Sequence, residues 1–247
     1  MPDRLGYRAK IGLISPGRNS VVETEMHGMA PSGVTINTAR VHRASPAVWH
    51  NDTGFKAMAQ LNREGVPDAI ANILECQPDY IIVGEAGFSI ARKEHDALEK
   101  QYREVAGGLR VATAAASYLR ALEVLRVKKL AVLTPRLPAS GVVSGGLWTE
   151  CGYEVVGARG LAAEKSSDIV GTPEEDLRDG IAELAGTGAE AILITGTNLP
   201  ALQIADEAER WFGLHVLHIN AVLMWHALRD CGIPDRIEGA GRLLREN

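Results

Sequence analysis

The chain lacks several features that quickly assign a sequence to a class of proteins. Its 247 residues include only three cysteines, and because no two of them form a CxxC pair, the sequence predicts neither a disulfide framework nor a zinc site. The formal net charge is -5 and no dense run of lysine and arginine occurs, which argues against nucleic acid and acidic membrane surfaces as partners. The seven histidines show no metal-binding spacing, so we expect no metal site.

Long apolar runs and nucleotide-binding motifs are absent as well. The longest apolar runs have the length of a strand, whereas a membrane-spanning helix needs about 20 apolar residues. Residues 1–10 contain no apolar core of the signal-peptide type. Neither a GxGxxG motif nor a Walker P-loop occurs, so nucleotide phosphate binding is not supported. We therefore expect a cytoplasmic protein that acts on a small molecule without a cofactor.

What the sequence does contain is a regular alternation of two patterns. Short apolar runs that end in Gly, Ser, Thr or Pro alternate with amphipathic stretches, which predicts an α/β fold with parallel sheets covered on both faces. The predicted strands are residues 11–15, 35–40, 80–83, 111–112, 130–134, 153–157, 191–195 and 216–218. The predicted helices are residues 21–29, 57–76, 93–106, 114–125, 139–151, 173–186, 201–212 and 221–231.

The two halves of the chain also resemble each other. Residues 10–16 resemble residues 129–135, and residues 78–85 resemble residues 189–196, with the order of elements preserved. Such a repeat predicts two similar supersecondary units. We therefore expect two flavodoxin-like lobes with parallel sheets, related by pseudo-twofold symmetry.

The predicted boundaries place the active site between the lobes. We expect an N-terminal lobe of residues 1–115 plus about 231–247, and a C-terminal lobe of residues 116–230. Ligands of open parallel sheets bind at the carboxyl ends of the strands, where following helices present unpaired N–H groups that favour anions. Two such rims facing each other across a cleft would hold a small carboxylate. The acidic run at residues 206–209 is interpreted as a solvated helix face.

Three segments carry a resemblance to a known family. Residues 11–25, 197–199 and 220–228 resemble the aspartate/glutamate racemase superfamily, and most closely its maleate isomerase and arylmalonate decarboxylase branch, over nearly the whole chain. The resemblance implies the two-lobed fold, an active site in the cleft, and a proton transfer or covalent step beside a carboxylate, performed by one or two cysteines. It also implies a tendency to form homo-oligomers.

The family's catalytic positions hold different residues here. In maleate isomerases a cysteine follows each central strand, at the positions of Glu85 and Gly196, and arylmalonate decarboxylases keep only the second cysteine. The three cysteines that the chain does contain are predicted at helix ends opposite the strand carboxyl ends, as structural thiols. They are Cys76, Cys151 and Cys231. The resemblance thus implies the small-acid site without the thiol chemistry.

Glu85 is the candidate acid/base. Its glycine and alanine neighbours do not shield it. Partial burial would raise the pKa of its carboxyl towards a range useful for proton transfer, whereas Arg136 or helix N–H groups would lower that pKa. The alternative is a structural ion pair with Arg18, Arg40 or Arg136. Gly196 is expected to leave room for a bulkier ligand or for a water molecule opposite Glu85.

The candidate substrate-binding residues lie at the same strand ends. Asn19, Thr197 and Asn198 offer neutral donors suited to a carboxylate or a developing enolate, although capping and turn formation is the alternative for these residue types. Arg136 suits a two-pronged contact with a second anionic group, with a solvated loop arginine as the alternative. The full candidate set is Ser15, Asn19, Ala86, Gly87, Arg136, Gly196, Thr197 and Asn198.

Two hypotheses of function follow. The first is a cofactor-independent isomerase or lyase that acts on a small carboxylate by proton transfer next to the carboxylate, with Glu85 as acid/base. Isomerisation, decarboxylation, hydration and hydrolysis all remain open within it. The second is a catalytically inactive small-carboxylate-binding paralogue on the same fold.

Overall fold

Two four-stranded sheets form the centre of the protein, and every paired strand in them is parallel. The computed structural model describes residues 3–42, 52–85, 91–136, 146–163, 165 and 167–247. All eight predicted strands are confirmed, several with longer bounds. They are β1 (Ala9–Pro16), β2 (Val34–Val41), β3 (Tyr80–Val83), β4 (Val111–Ala112), β5 (Lys129–Arg136), β6 (Glu154–Ala163), β7 (Ala191–Ile194) and β8 (His215–His218).

The two sheets share one topology, which confirms the fold that the sequence repeat predicts. The first sheet has the order β2-β1-β3-β4 and the second has the order β6-β5-β7-β8. Leu13 pairs with Ile82 in the first sheet, and Val132 pairs with Leu193 at the corresponding place in the second. Continuous apolar strands of this kind are buried on both faces by helices.

The described helices match the amphipathic stretches of the sequence. They are α1 (Val22–Met29), α2 (Asp52–Ile73), α3 (Arg92–Val105), α4 (Ala114–Val124), α5 (Leu147–Glu150), α6 (Glu174–Ala185), α7 (Leu202–Phe212), α8 (Ile219–Asp230) and α9 (Arg242–Glu246). The helix predicted over residues 139–151 falls largely on residues outside the described ranges, and α5 is the described part of it. The one-turn helix α9 was not predicted, because five residues are too few for a periodic pattern. In the described parts of the chain, no helix is long and apolar enough to cross a membrane.

Helices α4 and α8 form a layer between the two sheets. Their buried side chains belong to one apolar cluster together with residues of β1 and β3 from the first sheet and β5 and β7 from the second. The Tyr118 hydroxyl on α4 is fully buried, donates to the Ile194 carbonyl at 2.8 Å and lies 3.1 Å from the Leu217 carbonyl. A helix that follows the first sheet is thereby bonded to the strand ends of the second.

Glu25 on α1 is the centre of a second link between the sheets. Its Oε2 accepts from Asn220 Nδ2 at 2.6 Å and lies 2.9 Å from Nε2 of the buried His218, and its carboxylate also accepts from the backbone N–H of Leu202. Burial by itself would raise the pKa of Glu25, but the charge and hydrogen bond of His218, with the Asn220 and Leu202 donors, hold that pKa below its ordinary value. The ionised carboxylate is the form that this network stabilises.

Two of the three carboxylates in the acidic run on α7 are buried, and the prediction of a solvated face is wrong for them. Asp206 and Glu209 are only 3% and 2% exposed. Asp206 Oδ1 accepts from the Gly241 N–H at 3.1 Å, and Glu209 Oε2 accepts from the Arg242 N–H at 2.6 Å. These carboxylates satisfy the first N–H groups of α9, which fixes the C-terminal segment against α7.

We expect Tyr118→Phe to lower the free energy of unfolding by about 1–3 kcal/mol, because it removes the donor to buried carbonyl groups while leaving the ring in place. Urea-induced unfolding measures the change. Tyr7→Phe is the matched control, since Tyr7 is 61% exposed and its loss should have almost no effect. Equal stabilities of the two variants would contradict a role for the Tyr118 hydroxyl in joining the sheets.

We expect Glu25→Gln to destabilise the protein at pH 7 and to reduce its acid sensitivity. Because the folded-state pKa of Glu25 is lowered, its contribution is complete above the unfolded value and is lost as the pH falls through the folded value. Unfolding free energies measured from about pH 7 to about pH 3 should therefore converge for wild type and variant at the acid end. Glu64→Gln, an exposed helix position, is the control and should leave the pH dependence unchanged.

Candidate active site

The carboxyl ends of the strands bring residues of both sheets into contact. Asn19, which follows β1, donates from Nδ2 to Thr197 Oγ1 at 2.8 Å. The Thr197 hydroxyl, which follows β7, donates in turn to the Gly84 carbonyl at 2.9 Å. Two predicted site residues from different sheets are thus joined immediately beside Glu85.

Both asparagines of this site cap the start of α1. Asn19 Oδ1 accepts from the N–H groups of Val21 and Val22, each at 2.9 Å. Asn198 Oδ1 accepts from the Ser20 N–H at 2.9 Å across the interface. The N–H groups that the sequence offered to an anion are therefore bonded to side chains, as the capping alternative anticipated. Nδ2 of Asn19 has a second N–H, besides the one given to Thr197, that suits a ligand oxygen.

The two other polar candidates at the strand ends are buried. Ser15 is fully buried and its hydroxyl lies 3.3 Å from the Pro16 carbonyl. Arg136, the last residue of β5, is only 3% exposed, which excludes the solvated-arginine alternative. A buried guanidinium is retained in proteins where anionic or carbonyl partners surround it.

Arg40 donates to the Asn19 carbonyl at 2.7 Å and to Glu23 at 2.6 Å, so it stabilises the start of α1.

Glu85 directly follows Gly84 and is partly buried. It lines a small cavity of about 20 Å³ together with Arg63 on α2 and with His95 and Tyr102 on α3. Burial, and secondly the negative charge of Glu85, raises the pKa of Tyr102, which remains a neutral phenol. The cavity thus combines a carboxylate, a cation and a phenol at the end of β3.

The remaining polar groups on this wall are bonded to each other. His95 Nε2 lies 3.0 Å from Thr113 Oγ1, and burial lowers the pKa of His95. Sequence reasoning missed Arg63, His95 and Tyr102. The sequence feature that could have grouped two of them is the spacing of His95, Leu98 and Tyr102, which places these residues on one face of α3.

Gly196 adopts a backbone conformation that disfavours any other residue. Its φ is +94°, and an added Cβ would lie 2.7 Å from Cγ of Pro135. The expectation that Gly196 leaves room is wrong for the position that a Cβ would occupy, because Pro135 fills that space. A side chain here would require both a strained φ and a shift of Pro135.

The remaining predicted site residues, Ala86 and Gly87, lie outside the residues that the structure describes. The three cysteines contact other parts of the molecule. The Cys76 carbonyl accepts from Lys10 Nζ at 3.2 Å, near the amino end of β1, and Cys151 Sγ lies 3.1 Å from Arg92 Nη1. Burial raises the pKa of the Cys231 thiol to about 11, which keeps it protonated.

Comparison with known proteins identifies the family of the chain. The family model for arylmalonate decarboxylase matches residues 87–244. A maleate isomerase from Nocardia farcinica is 28% identical over 264 residues, which cover 98% of each protein.

Solved structures share the fold at lower identity. The maleate cis-trans isomerase of Nocardia farcinica, solved as a mutant with a covalently bound succinylcysteine intermediate, has a TM-score of 0.82 at 22% identity and covers 96% of this chain and 98% of its own. A maleate isomerase mutant from Pseudomonas putida, solved with maleate, has a TM-score of 0.83 at 20% identity, with 95% and 96% covered. An arylmalonate decarboxylase has a TM-score of 0.76 at 19% identity, with 96% and 100% covered. The resemblance drawn from residues 11–25, 197–199 and 220–228 is confirmed, and the chain belongs to the arylmalonate decarboxylase family.

Proposed function

We propose that the protein is a cofactor-independent enzyme that acts on a small carboxylate by proton transfer at the carbon next to that carboxylate, with Glu85 as the acid/base. The observation that carries the proposal is the position of Glu85. It follows Gly84, whose carbonyl is bonded to Thr197 from the other sheet. The backbone at Glu85 therefore lies beside the place where the strand ends of the two sheets meet, at the edge where ligands of open parallel sheets bind. Its side chain lines a cavity formed by residues of β3, α2, α3 and the start of α4.

The neighbouring groups suit the charge that such a reaction develops. Removal of a proton beside a carboxylate produces an enediolate, which neutral donors held in place stabilise without reorganisation. The second N–H of Asn19 Nδ2 supplies such a donor, and the bond from Nδ2 to Thr197 fixes its orientation. Arg136, buried at the end of β5, holds a second anionic group in this proposal.

The proposed reaction does not proceed by addition of a cysteine thiol to the substrate. The isomerase relative from Nocardia farcinica was solved with a succinylcysteine, a covalent intermediate on a cysteine. Here Cys76 and Cys231 lie near the amino end of the first sheet, and Cys151 contacts Arg92. A carboxylate base of suitable pKa can remove a proton from a saturated carbon next to a carboxylate without covalent attachment. This step gives an enediolate, as does the loss of carbon dioxide from a malonate. Cis–trans isomerisation of maleate would instead need water to add to the double bond and to be eliminated again after rotation.

A second candidate is a small-carboxylate-binding protein without catalytic activity. The observation that favours it is the capping of α1, because the carbonyl oxygens of Asn19 and Asn198 are committed to backbone N–H groups. In that case the strand ends would bind an acid and Glu85 would serve the structure alone. Turnover separates the two candidates.

We expect Glu85→Gln to lower turnover by at least about 100-fold, the usual contribution of a general acid/base. Proton NMR in deuterated water would follow wild type and variant with maleate, malonate, aryl- and alkylmalonates and 2-substituted acids. Deuterium uptake or product formation by the wild type alone would support Glu85 as the base and would identify the substrate class.

The control for this experiment is Glu75→Gln, an exposed position beside Cys76, which should keep full activity. Equal activity of wild type and Glu85→Gln would overturn the assignment of Glu85. If neither form reacts while a panel member raises the melting temperature of both, the binding-protein candidate replaces the enzyme.

A further inference from the structure

The cavity beside Glu85 contains two buried donors that the described residues do not satisfy. The hydroxyl of Tyr102 and Nη1 of Arg63 are both buried, and neither has a hydrogen-bond partner in the described parts of the chain. Both residues line the cavity that Glu85 also lines. Because an unpaired buried donor is costly, such groups normally bond to protein or to ordered water.

The size and the lining of the cavity fit one water molecule. Its volume of about 20 Å³ exceeds the roughly 10–15 Å³ that a single water requires, and it is too small for most organic ligands. A buried water needs two to four polar partners, and this wall offers two donors and one carboxylate. The side chains of Val83, Leu98, Ala114 and Ala115 form the apolar part of the lining and confine the water to the polar side.

We propose that Arg63, Tyr102 and Glu85 bind one water molecule between them, and that Arg63 and Tyr102 act through this water as positioning residues that keep Glu85 ionised. The inference deepens the proposed function and rests on it for the catalytic consequence. An ionised Glu85 enters the reaction as a base, not as an acid.

The surrounding groups support this assignment. Arg63 Nη2 donates to Gln60 Oε1 at 3.1 Å along α2, which holds the guanidinium in place with Nη1 buried. His95 and Thr113, on the same wall, are bonded to each other. The phenol of Tyr102 stays protonated, since burial and then the charge of Glu85 raise its pKa, so it is a donor at neutral pH.

Removing either donor should raise the pKa of Glu85, because hydrogen bonds and positive charge favour the ionised form of a carboxyl group. We expect a rise of about one pH unit in Tyr102→Phe and about one to three units in Arg63→Met, where a charge is lost as well. Arg63→Lys should recover part of the shift. Carbon-13 NMR of glutamate-labelled protein measures this pKa directly, with Glu85→Gln identifying the resonance.

The matched control is Tyr80→Phe. It removes a buried hydroxyl that donates to Asp230, at the end of α8, at 2.9 Å. It should leave the pKa of Glu85 unchanged, and thermal unfolding shows which variants remain folded. An unchanged Glu85 pKa in folded Tyr102→Phe and Arg63→Met would overturn the positioning role. A crystal structure in which Tyr102 bonds directly to Glu85, with no water within about 3.2 Å of its hydroxyl, would overturn the water site.

The pKa measurement does not depend on turnover, so the two proposals fail separately. A raised pKa in both variants, in a protein that turns over no substrate, leaves the water site standing and removes the proposed function. If Glu85→Gln abolishes turnover and neither Tyr102→Phe nor Arg63→Met changes the pKa of Glu85, the proposed function stands and the positioning role is removed. In an active enzyme, the acid limb of the kcat/KM profile should move to higher pH in Tyr102→Phe by the same interval as the pKa.

Discussion

The packing of α4 against α8 between the two sheets helps to determine how the strand ends of the two sheets meet. Ala114 and Ala121 on α4 and Ala227 on α8 are buried in the apolar cluster that the two helices share, and small side chains allow helices to approach closely. Tyr118 bonds to the carbonyl of Ile194, the last residue of β7. Because Thr197 follows three residues later, this hydrogen bond also helps to set the place at which the second sheet meets the first.

The polar groups at the interface favour a single arrangement of the two sheets. Thr197 is held at two points, since its hydroxyl bonds to Asn19 and to Gly84 while its carbonyl accepts from Asn220 Nδ2 at 3.0 Å. Asn220 in turn donates to Glu25. A buried polar network stabilises only the arrangement in which its members are paired, so a shift of one sheet against the other would leave several unpaired. The donors at the strand ends are thereby oriented before any ligand arrives.

Sequence patterns predict what is local, and they fail where distant segments meet. The strands around Leu13 and Val132 are continuous apolar runs and were predicted correctly. Asp206 and Glu209 were not, because their partners, the N–H groups near residue 241, lie more than 30 positions further on. The grouping of Arg63 with Tyr102 depends in the same way on the contact between α2 and α3. Gly196 could not be interpreted for a different reason, because the sequence does not reveal which glycines adopt a positive φ.

Glu85 shares its cavity with two buried donors that the described residues do not satisfy. Nη1 of Arg63 and the hydroxyl of Tyr102 line that cavity, and neither has a hydrogen-bond partner among the described residues. A buried donor without a partner is costly, and an ordered water molecule is a usual way to satisfy it. In the proposed water site, the same molecule donates a hydrogen bond to the carboxylate beside the charge of Arg63, and both favour the ionised form of a carboxyl group. The groups that satisfy the buried donors would therefore also prepare Glu85 to accept a proton.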